Sequence, residues 1–209
     1  MTSDPALARL AAHIRACRIC RDAPLGRSLP HEPRPVIRPS SAARILIAGQ
    51  APGARVHASG IPFDDRSGDR LRDWLGVSGE TFYDTANFAI VPMGFCFPGN
   101  DAAGGDLPPR RECAPAWRAA LLTRMPQVEL VLAIGRYAQE WHLGSRRGAS
   151  LTATVADWQD IFEATGKPRV LPLPHPSWRN TGWLKRHPWF ETALLPRLRG
   201  EVQVLLGKA

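Results

Sequence analysis

The sequence predicts an α/β protein, a three-layer α/β/α fold around a central four-stranded parallel sheet. Three observations lead there. Four apolar runs, RILIAG (44–49), FAIVP (88–92), ELVLAIG (129–135) and RVLPLP (169–174), have the length of strands and end in Gly or Pro. Stretches with helical spacing separate them, and strands alternating with helices imply a parallel sheet covered on both faces. No internal repeat or linker breaks the pattern, so residues 1–209 read as one domain. A chain of that length buries roughly 70% of its unfolded surface.

The elements follow in order. Residues 4–20 read as a helix, with Ser3 or Asp4 as cap, Pro5 in the first turn, and Leu7, Leu10, Ile14 and Cys17 on one face. Residues 22–41, rich in Pro, Arg and Ser, read as an ordered loop or lid before the first strand. Ser67 is placed to cap a helix carrying Leu71, Trp74 and Leu75 ahead of the second strand. Pro115 opens a helix through Trp117, Leu121 and Leu122, and the third strand follows. A short helix spans Tyr137 to Trp141, and another starts at a Thr154 cap with Val155, Trp158, Ile161 and Phe162. After the fourth strand, residues 188–206 form a closing helix interrupted near Pro196.

Composition narrows the function. Hydrophobic residues make up 44% of the chain, which excludes wholesale disorder. No apolar run approaches the length of a membrane span, and the N-terminus lacks a basic segment followed by an apolar one, so a cytoplasmic, nucleoid-associated protein is expected. The net charge of +8 suits a polyanionic partner. Basic pairs recur in expected loops, at Arg110-Arg111, Arg146-Arg147 and Lys185-Arg186.

In open parallel sheets, ligands bind at the carboxyl ends of the strands. Here those ends carry GQAPG (49–53), MGFCFPG (93–99), GRYAQ (135–139) and HPSWRN (175–180). The prolines of LPLPHPSWRN stop both strand and helix, leaving a stiff rim loop that presents His175, Ser177, Trp178 and Arg179. The glycines of GQAPG let backbone approach a ligand, or serve an ordinary strand-to-helix turn.

The four cysteines form a close pair, Cys17-x-x-Cys20, and a wide one, Cys96 and Cys113, with sixteen residues between. A zinc ribbon favours two close pairs. Four thiolates are also the ligand set of a 4Fe-4S cluster, and four reduced, buried thiols are the plain alternative.

GQAPG, GIPF (60–63) and HPS (175–177), in that order, resemble the uracil-DNA glycosylase superfamily, and most closely its iron–sulfur family 4, with GE(A/G)PG, GxPF and HPS motifs. The resemblance spans about Cys17 to Trp178 and implies a monofunctional hydrolase that flips uracil out of DNA and cleaves its N-glycosidic bond. It implies a structural 4Fe-4S cluster on Cys17, Cys20, Cys96 and Cys113. It implies that Phe63 stacks on the extruded base, that the backbone of the loop Gly49, Gln50, Ala51, Pro52 and Gly53 borders it, and that His175 hydrogen-bonds its O2. Ser177 then donates to a DNA phosphate, while Trp178 and Arg179 fill the gap left in the stack.

Two departures shape the expected chemistry. Gln50 stands where family 4 has an acid, and Ala51 where family 1 has its water-activating Asp. Family 5 enzymes resemble this chain in having an Asp in the GxPF loop, so Asp65, with Asp64 second, is expected to orient water and stabilise the positive sugar. Pro92 occupies the place of an Asn that reads uracil, which leaves base recognition to the backbone of Met93 and Gly94 and admits related deaminated bases. A non-catalytic, cluster-bearing DNA damage reader is the alternative.

Overall fold

The computed structural model describes residues 4–207. Its sheet has strands β1 (Ile45–Ala48), β2 (Phe88–Ile90), β3 (Leu130–Ile134) and β4 (Arg169–Leu173), ordered β2-β1-β3-β4. Every pairing is parallel, with Ile47 opposite Ile90 and Leu132, and Leu132 opposite Leu171. The three-layer prediction therefore holds.

The strands are buried on both faces, and side-chain alternation divides the core. Ile45 and Ile47 pack into one cluster with Leu71, Trp74, Phe82, Phe190 and Leu198. Leu46 and Ala48 pack into the other with Ile14, Leu121, Ala138 and Ile161. β4 lies at a sheet edge, which is why it accommodates Pro172 opposite Ala133.

Helix boundaries differ from expectation in instructive ways. The first helix, α1 (Pro5–Arg15), is capped by Asp4, whose Oδ1 accepts from the Ala6 amide at 2.9 Å. It stops short of Cys17, and a separate turn, α2 (Ile19–Asp22), carries Cys20. The alternative cap Ser3 lies outside the described residues. A helix α3 (Ala54–Ser59), hidden by its lack of apolar periodicity, follows GQAPG.

The helix expected to be capped by Ser67 is α4 (Arg66–Leu75), and Asp65 caps it instead. A turn α5 (Gly79–Tyr83) precedes β2. Pro115 sits inside the first turn of α6 (Cys113–Leu122) rather than opening it. After β3 comes α7 (Arg136–Leu143), longer than the expected turn.

The segment expected to start at Thr154 is two helices, α8 (Leu151–Ala156), capped by Ser150, and α9 (Trp158–Ala164). Thr154 instead donates its hydroxyl to the Ser150 carbonyl at 2.9 Å. A helix α10 (Thr181–Arg186) follows the HPSWRN loop. The closing segment is a π turn over Phe190–Leu194 and then α11 (Leu195–Leu205), with Pro196 in its first turn, where a missing amide costs nothing. No helix among the described residues is long and apolar enough to cross a membrane.

The topology decides where a ligand goes. The chain leaves β1 toward β2 on one side, then crosses to β3 on the other, so the crevice between the loops after β1 and β3 is a switch point. At that point Gly135, with φ 79°, faces Gln50. A Cβ on Gly135 would stand 3.2 Å from the Gln50 Cγ and Cδ, so only glycine lets the glutamine lie across it.

Candidate active site

A cavity of about 360 Å³ opens at the carboxyl ends of the strands, in the range of small-ligand sites. All five residues of Gly49–Gly53 line it, together with Phe63, Asp65, Pro92, His175 and the Ser177–Arg179 segment. Loops from four separate stretches of sequence therefore meet around one hollow.

Phe63 forms one wall. It is the one described non-glycine residue with positive φ, at 57°, a conformation that a bulky side chain adopts only under constraint. Gly68, in the first turn of α4, makes room for it: a Cβ there would lie 1.8 Å from the Phe63 carbonyl oxygen. The Arg72 guanidinium approaches the same carbonyl at 3.4 Å. The ring lies against Gly49, 3.4 Å from where a Cβ would be, and meets Phe82 edge-on at 6.1 Å.

The loop after β4 lines the same cavity. The Ser177 amide donates to Nδ1 of His175 at 3.2 Å. With Nδ1 an acceptor, the neutral ring carries its proton on Nε2. Asn180 Nδ2 holds the His175 carbonyl at 2.7 Å. Burial pushes the His175 pKa below the ordinary imidazole value, against the charges of Asp65 and Asp106 that pull it up. Ser177 Oγ accepts from the Arg179 amide at 3.2 Å.

Trp178 is 69% exposed, with the Arg179 guanidinium 5.7 Å from its ring centre. Arg70, which sequence reasoning missed, ties this loop to α4: its Nη1 donates to the Ser177 carbonyl at 2.9 Å and its Nη2 to Thr181 Oγ1 at 3.1 Å.

The carboxylates divide. Asp65 lines the cavity, and its Oδ1 accepts from the Gly68 amide at 2.9 Å as the cap of α4. Asp64 is not part of the lining, and its charge is felt by the Tyr83 hydroxyl instead. Asp106, from the long loop after β2, lines the cavity and carried no motif that marked it. Met93 and Gly94 are absent from the lining, because their amides donate to the Gly49 and Gln50 carbonyls at 2.9 and 2.8 Å. The same bond engages the Gln50 carbonyl.

A second hollow lies beside the first helices. Cys17, Cys20, Cys96 and Cys113 all line it, roofed by Pro33 and Pro35 of the 22–41 segment. All four are free cysteines. The Phe95 amide donates to Cys113 Sγ at 3.3 Å, the Arg34 amide bonds Cys96 and the Arg110 side chain bonds Cys20. Burial pushes the Cys96 thiol up to about 12 and raises Cys20 and Cys113 as well. Among the described residues no three His, Cys, Asp or Glu side chains are arranged to hold a single metal ion.

Between the two hollows lies Arg118, completely buried. Its Nη1 donates to the Val91 and Pro92 carbonyls at 2.7 and 2.8 Å, and its Nη2 lies 2.7 Å from Nε2 of His142. Burial lowers its pKa to about 10, and the Cys113 thiol is the group that pulls it back up. Burial and the Arg118 charge together hold His142 at about 3.

The family comparison agrees with this arrangement. Residues 37–199 match the model of the uracil DNA glycosylase superfamily, a span that holds GQAPG, GIPF and HPS. The chain belongs to the uracil DNA glycosylase superfamily.

Proposed function

We propose that the chain is a monofunctional DNA glycosylase that hydrolyses the N-glycosidic bond of uracil, or of a related deaminated base, in DNA, and that it is of the iron–sulfur family 4 kind. The observation that carries the reading is that Phe63 and His175, whose Nδ1 accepts from the Ser177 amide, line one cavity at the switch point.

The roles follow from that geometry. An extruded base sandwiched on Phe63 regains stacking of about 1–3 kcal/mol, comparable to the few kcal/mol that unstacking it costs. As the glycosidic bond stretches, negative charge grows on the base, and the Nε2–H of His175 stabilises it where it develops. A neutral donor suits this task because an imidazolium would lose its proton to the anion. Asp65, facing His175, stabilises the positive charge growing on the sugar. Trp178, exposed beside Arg179, is shaped to fill the gap in the stack, and Ser177 to meet a phosphate. Among the described residues no lysine lines the cavity, which supports simple hydrolysis over an amine-mediated strand cleavage.

The donor set fits a 4Fe-4S cluster, bound by Cys17, Cys20, Cys96 and Cys113. A buried guanidinium with no carboxylate partner among the described residues is costly. Arg118 beside Cys113 is offset if the thiols are ionised on a cluster. Its contribution is to anchor α2, the 22–41 segment and α6 to one another. Carboxylates at Asp65 and Asp106 within the cavity favour an enzyme over a damage reader that only binds.

Incubation with uracil-containing single- and double-stranded oligonucleotides tests the proposal. Alkali-labile sites at the uracil positions are expected; intact strands with cluster-loaded protein would refute it.

A further inference from the structure

The loop after β2 folds into a small hairpin whose Asp106 lines the cavity. Asn100 bridges Asp106, and the Leu107 amide donates to the Gly99 carbonyl at 2.9 Å. Asp101 Oδ1 gathers the turn by accepting from the Ala103 and Gly105 amides at 2.9 and 2.7 Å. Arg179 Nη2 reaches the Gly104 carbonyl at 3.4 Å, fastening the hairpin to the loop that carries His175.

This scaffold aims one side chain. Asn100 Nδ2 donates to Asp106 Oδ1 at 3.1 Å, which fixes the carboxylate's rotation. The other oxygen, Oδ2, lies 3.3 Å from where a Cβ on Gly53 would be. A carboxylate borrowed from another loop thus rests against GQAPG, the loop whose own acidic positions are filled by Gln50 and Ala51. Its charge acts on His175, which lines the same cavity. Asp65 and Asp106 both line the cavity and each has its Oδ1 engaged, at the α4 cap and with Asn100, but it is the second oxygen of Asp106 that lies against Gly53 of GQAPG.

We infer that Asp106 is the catalytic carboxylate that takes the proton of the attacking water, leaving Asp65 to stabilise the sugar cation. The inference rests on the glycosylase reading above. In the step, the water oxygen bonds to C1′ while the C1′–N1 bond breaks, and its electron pair leaves with the base, held by His175. The water proton passes to Asp106 and then through solvent to the base anion, so free base and an abasic sugar result.

The test compares wild type, Asp106→Asn and Asn100→Ala in single-turnover cleavage of uracil-containing DNA, alongside affinity for a duplex bearing a non-cleavable 2′-fluoro analogue of deoxyuridine. A lost general base predicts a fall of about 10²–10⁴-fold for Asp106→Asn with affinity unchanged. Asn100→Ala, which keeps the carboxylate and frees its rotation, is expected to slow cleavage to a smaller extent, again at unchanged affinity. Cleavage by Asp106→Asn at the wild-type rate overturns this assignment alone. A wild type that releases no base overturns the glycosylase reading and this inference with it.

Discussion

The Ser177 amide donates to Nδ1 of His175 at 3.2 Å, so two residues of one stiff loop decide which imidazole nitrogen faces the cavity with a proton. Ser177 is itself held by Arg70 from α4, which makes the orientation a property of the fold rather than of the loop alone.

Replacing His175 with Ala should lower single-turnover cleavage by about 10²-fold or more, the usual loss when a donor aimed at developing charge is removed. Affinity for uncleaved DNA should change little, because the donor acts on charge absent from the ground state. A rate equal to wild type would remove His175 from the chemistry.

The same buried imidazoles set the response to acid. His175 and His142 both have pKa values held below the ordinary 6.5, by burial first, and for His142 also by Arg118. A histidine depressed in the folded state favours folding fully above its unfolded pKa, because the unfolded chain binds the proton more readily below it. Stability from His142 should therefore be complete above pH 6.5 and decline as pH falls toward about 3. Urea midpoints measured across that window check this, and a flat profile would contradict it.

Gly68→Ala tests the constraint on Phe63. A methyl 1.8 Å from the Phe63 carbonyl forces the loop to move, at about 1–3 kcal/mol for an overpacked site, more than the helix gain of about 1 kcal/mol from alanine. Both the urea midpoint and the cleavage rate should fall, although residue 68 touches no substrate. Wild-type values for both would show that the Phe63 loop is not pinned there.

Cys17→Ser should remove visible absorbance from protein purified without oxygen and reduce the yield of folded chain. Cys17 is the proposed ligand between α1 and α2, so its loss should free the N-terminal segment. Normal yield with an unchanged spectrum would argue against the cluster.

Much of the framework was legible because it rests on periodicity and punctuation. Ile45 to Ala48 and Leu130 to Ile134 are continuous apolar runs ended by glycine, and nothing but a buried parallel strand suits them in this setting. GQAPG, GIPF and HPS were legible as a set because their order along the chain matches a family pattern, whereas GQAPG alone reads equally well as an ordinary strand-to-helix turn. What sequence could not show was contact between loops. Asp106 lies in a Gly- and Asp-rich stretch that reads as solvent-facing, and only the Asn100 bridge brings it to Gly53. Arg70 and Arg118 look like ordinary helix arginines, one in a basic face and one in an apolar helix, yet one clamps Ser177 and the other is buried behind Pro92. The Met93 and Gly94 amides were expected to face a base, but parallel pairing beyond β1 takes them first.

Mass-spectrometric detection of free base after incubation with oligonucleotides containing uracil, hypoxanthine, xanthine or 5-hydroxymethyluracil separates repair from mere recognition. Free uracil and an abasic strand of matching mass are expected, with release lost in His175→Ala. Tight binding of these oligonucleotides with no base released from any of them would contradict the glycosylase reading and leave a protein that recognises damage without repairing it.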